Sequence, residues 1–204
     1  PEMPAAIRAI LASLISTAGH CMRAALDASL ESLPAQDRRR LRQAGIVIGA
    51  LDVFHNGLLK PEATRLRLAL LAVNRDLPMP PLPMPGLTLL DQPSAELAAS
   101  AREAGYRDFG NQMVRIDLVE RIARALHDQR DGKGAFLPDT QIAVQLGVGQ
   151  ATLGRIFRAL GFLPAGKGNP ELWRWNGRRR RKPQEAKSNP SFAALRGWMK
   201  RGAN

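Results

Sequence analysis

The stretch T-Q-I-A-V-Q-L-G-V-G-Q-A-T-L-G-R-I-F-R-A-L-G-F, residues 140–162, restricts the fold more than any other part of the sequence. It fits a helix-turn-helix at the positions that packing dictates, with Gly147 at the turn. Asp139, or Thr140 one residue on, is expected to cap the first helix. The residues expected to form the contact between the two helices are Ile142, Ala143, Leu146, Val148, Leu153 and Ile156.

The sequence around this stretch predicts a winged helix. An amphipathic helix is predicted from about Ile116 to His127. After the second helix, β-prone runs at 161–163 and 172–175 flank a Pro- and Gly-rich turn and predict a hairpin, or wing. Winged helices also serve as packing or protein-interaction modules, so the fold alone does not decide the function.

The predicted fold class is mainly α, with four parts along the chain. Residues 1–77 form an N-terminal helical unit, divided near Gly19, with a short strand pair or extended segment around 46–54 and a helix starting at Pro61. Residues 78–93 contain six prolines and form an extended linker. Residues 94–176 form the winged-helix-like domain, whose first helix runs from Ser94 to Ala104. Residues 177–204 form a basic tail with a short amphipathic helix.

Charge favours a polyanionic partner. The 204 residues include 30 Lys and Arg against 18 Asp and Glu, a formal charge of +12. Eleven basic residues and two acidic ones fall between Lys167 and Arg201, so most of the excess belongs to the C-terminal part. A sparser second patch is formed by Arg38, Arg39, Arg40 and Arg42. An anionic membrane surface would attract the same tail, but nucleic acid is the favoured target.

Candidate nucleic-acid-binding residues lie on the second helix, the wing and the tail. The alternation of Trp173 and Trp175 in the last β-prone run is expected to turn Trp173 into the core and leave Trp175 as a stacking surface. The tail should bind phosphates by releasing counterions. The full candidate set is Gln150, Thr152, Arg155, Arg158, Lys167, Arg174, Trp175, Arg178, Arg179, Arg180, Arg181 and Lys182.

No motif supports catalysis or a metal site. Residues 161–168 imitate a phosphate-binding loop but lack its final Ser or Thr and follow a predicted helix. His20, His55 and His127 have no metal-ligand spacing. The single cysteine, Cys21, is expected in the core and suits a reducing cytoplasm. No apolar run reaches membrane-spanning length, so a cytoplasmic protein without a membrane partner is expected.

Several segments together resemble the C-terminal region of alphaproteobacterial superfamily-two RNA helicases, relatives of the suppressor-of-Var helicases of the mitochondrial degradosome. They lie at 41–67, 80–88, 104–123, 157–162 and 191–196, and A-G-Y-R-D-F-G-N-Q-M-V-R-I-D-L-V-E-R-I-A at 104–123 is the most specific. The resemblance implies that ATP and magnesium are used by motor domains N-terminal to this chain, which itself would hold no cofactor. It implies a fragment that binds single-stranded RNA for an ATP-dependent RNA helicase. Residues 137–156 match the helix-turn-helix pattern more closely than is expected of this family. A stand-alone relative that has lost, or never had, the motor domains therefore remains an alternative.

Two alternatives remain beside this accessory RNA-binding region. One is a DNA-binding regulator that reads a duplex through residues 150–158. The other is an interaction module whose helical part docks on a motor or nuclease, with the tail as a solubilising extension. RNA is favoured over DNA as the partner.

Overall fold

A computed structural model describes residues 3–165 and 171–177, apart from the side chain of Ile142. In this part of the chain about half of the residues are helical, in eight α-helices. Nine short strands form three antiparallel sheets of three strands each. The high helical content agrees with a mainly α or mixed α/β fold. The structure has more strands than the sequence predicted, since only a short strand pair or extended segment and one hairpin were expected.

The first unit covers residues 5–55. Its elements are α1 (Ala5–Ser16), β1 (His20–Met22), α2 (Asp27–Glu31), α3 (Ala35–Gln43), β2 (Ile46–Ile48) and β3 (Asp52–His55). Strand β3 lies in the centre and pairs with both β1 and β2, which confirms the predicted strand pair. The first helix ends before Gly19, as expected, but a strand and not only a second helix follows it. Gly19 has a φ of +105°, and the chain leaves it as β1, where Cys21 pairs with Val53.

The middle unit covers residues 61–115. Its elements are α4 (Pro61–Asn74), β4 (Leu89–Asp91), α5 (Ala95–Ala104), β5 (Tyr106–Asp108) and β6 (Gln112–Arg115), with β6 central in the sheet. Pro61 occupies the first turn of α4, as predicted. Ser94 caps α5, because its Oγ accepts a hydrogen bond from the backbone N–H of Leu97 at 3.2 Å.

The third unit covers residues 116–175. Its elements are α6 (Ile116–Gln129), β7 (Ala135–Phe136), α7 (Gln141–Gln145), α8 (Gln150–Ala159), β8 (Phe162–Pro164) and β9 (Trp173–Trp175). The predicted helix pair and hairpin are confirmed, and β7, which was not predicted, pairs with β9. Asp139 lies two residues before α7, and its carboxylate accepts a hydrogen bond from the N–H of Gln141 at 2.9 Å.

The side chains described around the turn between α7 and α8 follow the predicted packing with one exception, and the side chain of Ile142, also predicted in this contact, lies outside those described. Gly147 has a φ of +79°, a conformation that favours glycine. Leu146, expected in the core, is 36% exposed, because the turn begins at this residue and directs it outward. The residues that are buried as predicted are Ala143, Val148, Leu153 and Ile156.

The proline-rich segment is shorter than the predicted linker at 78–93. Residues 89–91 form β4, an edge strand that pairs with β6. Edge pairing is possible here because no proline falls within these three residues. Helix α4 also packs with α5, and Leu68 shares a core with Leu90 and Met113. The chain therefore continues as one packed body across the predicted boundary at residue 77.

The three units share one plan. In each, a helix leads to a strand, then to one or two helices, then to a two-stranded hairpin, and the first strand pairs with the last. A short sequence also recurs where the helix meets the hairpin. It reads L-R-Q-A-G-I at 41–46, A-R-E-A-G-Y at 101–106 and F-R-A-L-G-F at 157–162. We call this apolar-Arg-x-apolar-Gly-apolar sequence the repeated motif.

The glycine of the repeated motif explains why the sequence recurs. Gly45, Gly105 and Gly161 have φ values of +81°, +94° and +92°, the left-handed conformation that ends helices. Each donates its N–H to the carbonyl of the motif arginine, at 3.0, 3.2 and 3.1 Å. Each glycine carbonyl then accepts, at 2.9 Å, from the first residue after the unit's last strand. The motif thus ties the helix end to the sheet three times.

Polar contacts hold the units against one another. Asp52 of the first unit, 7% exposed, accepts hydrogen bonds from Nε and Nη2 of Arg107 at 3.0 and 2.8 Å. Glu120 of the third unit accepts from the N–H of Ala50 at 2.6 Å. Around these contacts the largest apolar core combines residues of the middle and third units, and Ala50 and Leu51 pack against it.

Candidate nucleic-acid interface

Helix α8 presents a cationic face because its apolar residues are used on the opposite side. Leu153, Ile156 and Phe157 are buried in the core of the third unit. Gln150, Arg155 and Arg158 are exposed. A helix with this division is fixed by packing and leaves its polar side chains free to contact a ligand.

Arg155 is anchored at one nitrogen. Its Nη1 donates to the carbonyl of Phe109 at 2.8 Å, which ties α8 to the middle unit. No carboxylate pairs with Arg155 among the described residues. Because a guanidinium has five N–H donors in a planar fork, the anchored side chain retains donors for a phosphate.

Arg158 is positioned by an aromatic ring. Its guanidinium carbon lies 5.7 Å from the centre of the Trp173 ring, within the range of a cation–π contact. Trp173 in turn packs edge-on against Phe157, with ring centres 4.9 Å apart. Arg158 is exposed and has no carboxylate partner in the described part of the chain.

Two of the predicted site residues are less accessible than expected. Thr152 is only 2% exposed, because its position on α8 faces the core. Trp175 is covered by Arg130, whose guanidinium carbon lies 4.2 Å from the ring centre, and contacts His127 edge-on. The expectation that Trp173 and Trp175 face opposite ways is also wrong. Residues two apart on a strand share a face, and both rings pack on the same core.

Arg174 lies between the two tryptophans and points the other way. It is exposed, it has no carboxylate partner among the described residues, and it belongs to the central strand β9. The structure therefore presents Gln150, Arg155, Arg158 and Arg174 as exposed polar groups of the third unit. The predicted residues Lys167, Arg178, Arg179, Arg180, Arg181 and Lys182 lie outside the described residues.

Gln112 is a positioning residue that the sequence analysis missed. It comes from the middle unit and is 9% exposed. Its Nε2 donates to the carbonyl of Gly147 at 3.2 Å, and its Oε1 accepts from the N–H of Gly149 at 2.9 Å. The amide thus holds both sides of the turn that orients α8. Only the tertiary structure reveals this contact, because residues 112 and 147 are far apart in sequence.

A second basic face lies on α3, in the patch noted at 38–42. Arg39, Arg40 and Arg42 are exposed, whereas Arg38 is half-buried. None of these residues belongs to the candidate site predicted from the sequence. The repeated motif is the signal that would have singled out Arg42, which stands at the same motif position as Arg158.

The groups with shifted pKa values lie away from these basic faces. Burial lowers the pKa of His20, with a further contribution from Arg67, and burial also lowers the pKa of Arg67 itself. Burial raises the pKa values of Cys21 and Tyr106. A hydrogen bond to Asp117 raises the pKa of Arg115. These side chains belong to the first and middle units or to the start of α6, so their shifts reflect packing rather than an arrangement around the exposed arginines.

Apart from the cationic faces, an apolar groove runs between α1 and α4. Leu66 and Leu70 are more than half exposed along it, and Ile15 is 80% exposed at its edge. Within the described residues, no group of three or more His, Cys, Asp or Glu side chains is arranged to hold a metal ion. None of the described helices is both long and apolar enough to cross a membrane.

Comparisons with protein-family models, with curated proteins and with solved structures each find no match to this chain.

Proposed function

We propose that this chain binds single-stranded nucleic acid through its phosphate backbone and serves as the accessory RNA-binding region of an ATP-dependent RNA helicase. The motor domains would act in cis or as a separate partner, and they would bind the ATP and magnesium. The observation that carries the proposal is the presence of exposed arginines on helix α8 and on strand β9 of the third unit. Arg155, Arg158 and Arg174 are exposed there without a carboxylate partner among the described residues.

The arrangement of the third unit supports this assignment. A helix, a strand, two helices and a hairpin, with the first strand paired to the last, is the order of elements in a winged helix. In helix-turn-helix proteins the second helix, here α8, supplies the side chains that contact nucleic acid. The net charge of +12 would bring a polyanion to this surface.

Backbone binding fits the chemistry better than the reading of base sequence. Helix α8 offers two guanidinium groups, which suit phosphates, and one amide, Gln150, and β9 adds a third guanidinium at Arg174. Arg155 is already held by Phe109 and Arg158 by Trp173, so these side chains have a limited range. Contacts of this kind position a strand without specifying its sequence.

The test compares the intact chain with R155A/R158A for binding to single-stranded RNA at several salt concentrations. If each arginine contacts one phosphate, the slope of log K against log salt should fall by about 1.4, at about 0.7 per contact. The loss should be equal on unrelated sequences. The matched control is Arg121→Ala, a change of one exposed arginine on α6, which should leave the slope unchanged. Absence of RNA binding by the intact chain at low salt would contradict the proposal.

The groove between α1 and α4 favours a second function, docking on a motor or nuclease. Its exposed Leu66, Leu70 and Ile15 are unusual for a solvated surface. A chain that acted only as a docking module would need no salt-sensitive affinity for RNA. A sequence-reading DNA regulator would lose its preference for one duplex site in R155A/R158A rather than weaken equally on all sequences.

A further inference from the structure

We propose that the first unit carries a second phosphate-binding face, formed by Arg39 and Arg42 on α3, which binds the backbone of the same nucleic acid. This inference rests on the proposed function of the third unit and adds a separate site to it. It starts from the position of α3: as the last helix before a hairpin, α3 has the same place in the first unit as α8 has in the third.

The local structure accounts for two of the four arginines on α3. Arg38 is half-buried, and its guanidinium donates to the carbonyls of Leu30 and Leu33 at the end of α2. Arg40 pairs with the buried Asp37, with Nη1 and Oδ1 3.1 Å apart. These contacts stabilise the fold and explain why arginine stands at both positions.

Arg39 and Arg42 have no comparable role. Both are exposed, and no carboxylate or carbonyl within the described residues accepts a hydrogen bond from either. Because they are three residues apart on a helix, their side chains emerge next to each other. Asp37, the one acidic residue of α3, is buried, so the exposed face of the helix carries positive charges and no negative one.

The repeated motif places the two pairs of arginines at equivalent positions. Arg42 precedes Gly45 by three residues, and Arg158 precedes Gly161 by three. Arg39 precedes Gly45 by six residues, and Arg155 precedes Gly161 by six. The glycines have similar φ angles and the same hydrogen bonds to their sheets, so both pairs lie in the same relation to their units.

These charges oppose folding rather than assist it. Like charges three or four residues apart destabilise a helix. The helix dipole offsets part of this at Arg42, which lies in the last turn, but not at Arg39. Packing does not require these charges, and their repulsion destabilises the helix. Such a destabilising arrangement is expected where the charges bind a ligand.

The middle unit shows that the fold does not need this pair. Six residues before Gly105 stands Ala99, and three residues before it stands Arg102, which pairs with Asp108 at 3.4 Å. That unit keeps the motif, the glycine conformation and the sheet. An exposed arginine pair without a carboxylate partner among the described residues therefore distinguishes the first and third units from the middle one.

The ligand chemistry is that of phosphate diesters in a polynucleotide. A membrane-binding helix would need an exposed apolar face, and the one leucine of α3, Leu41, is 3% exposed. Guanidinium groups bind phosphate oxygens through paired N–H donors, which ammonium groups cannot copy. The face would accordingly track the sugar–phosphate backbone without reading bases.

The test uses the full chain and a labelled oligouridylate of about 20 nucleotides, a length that several contacts can share. Anisotropy titrations between about 50 and 200 mM salt should show that R39A/R42A weakens binding about five- to twentyfold at the lowest salt. The salt slope should fall by about 1.4. R39K/R42K should recover most of that slope because the charges remain. Arg102→Ala, at the equivalent position of the middle unit, is the matched control and should change neither quantity.

Unfolding by urea provides the second readout. R39A/R42A should be as stable as the intact chain or slightly more so, because the substitution removes repulsion, and a loss of RNA binding then cannot come from misfolding. The inference is overturned if R39A/R42A binds like the intact chain while R155A/R158A is impaired. That result would leave the proposed function standing, whereas failure of the intact chain to bind RNA would remove both.

Discussion

The middle unit and its two neighbours are built on one framework and differ in what they present to solvent. All three end a helix at a left-handed glycine and join that glycine to the residue after the last strand by a 2.9 Å hydrogen bond. The first and third units place two helices between the first strand and this glycine, and the second of these helices exposes two arginines without a carboxylate partner among the described residues. The middle unit has one helix, α5, at this place. It has Ala99 and Arg102 at the two arginine positions, and Arg102 pairs with Asp108. The framework is thus independent of the exposed charge, and the charge requires a separate explanation.

The framework itself can be broken at Gly105. A side chain there would be strained at a φ of +94°, and its Cβ would lie 2.6 Å from Cδ2 of Leu59. We expect Gly105→Ala to lower the free energy of unfolding by about 2–3 kcal/mol, of which about 1–2 kcal/mol is the left-handed conformation. Urea unfolding monitored by circular dichroism measures the change.

Gly86→Ala is the matched control for the glycine prediction. Gly86 has a similar φ of +86°, but it lies outside the repeated motif and no atom approaches its Cβ position within 4 Å. It should show the conformational cost alone, about 1–2 kcal/mol. If the two substitutions destabilised the chain equally, the close packing of the motif glycine would contribute nothing to stability.

The difference in charge can be sharpened by giving the middle unit an arginine pair. Ala99 is exposed on α5, so Ala99→Arg should fit without repacking, and Asp108→Asn would release Arg102 from its partner. We expect the double substitution to strengthen binding to single-stranded RNA by a few-fold at low salt and to steepen the salt slope.

Ala99→Gln with Asp108→Asn controls for the change in side-chain size. This variant removes the same carboxylate but adds one positive charge fewer. Equal affinity of the two variants for RNA would show that a free arginine pair at this position is not sufficient for binding.

Much of the third unit could be predicted from the sequence, because its helices and hairpin depend on local signals. The spacing of Ala143, Val148, Leu153 and Ile156, with Gly147 between the helices, indicates two crossing helices before any tertiary contact is known. The β-prone runs on either side of a Pro- and Gly-rich turn indicate the wing in the same way.

Short edge strands could not be predicted in this way. Strands β1, β4 and β7 have two or three residues each, too few to show a period. Their pairing depends on β3, β6 and β9, whose partner residues lie between 21 and 39 positions further along the chain. The proline count at 78–93 correctly excluded helix, but it could not show that residues 89–91 would meet β6.

The candidate site was predictable in charge but not in orientation. Arg155, Arg158 and Arg174 are exposed as expected, whereas Thr152 is buried and Trp175 lies under Arg130. Exposure of a polar residue near a helix start depends on the exact rotation of the helix, which the apolar pattern defines only approximately. The second arginine pair was recognisable only as part of a charged patch until the repeated motif placed Arg39 and Arg42 beside their equivalents.

The central claim is that two of the three units bind one nucleic-acid backbone through equivalent arginine pairs. An NMR titration of the intact 22.3 kDa chain with single-stranded oligouridylate tests it most directly, by following backbone amides and arginine side chains. We expect signals of Arg39, Arg42, Arg155 and Arg158 to shift together as RNA is added, while those of Arg102 stay in place. Shifts that spare both arginine pairs, or that affect Arg102 as strongly, would contradict the account.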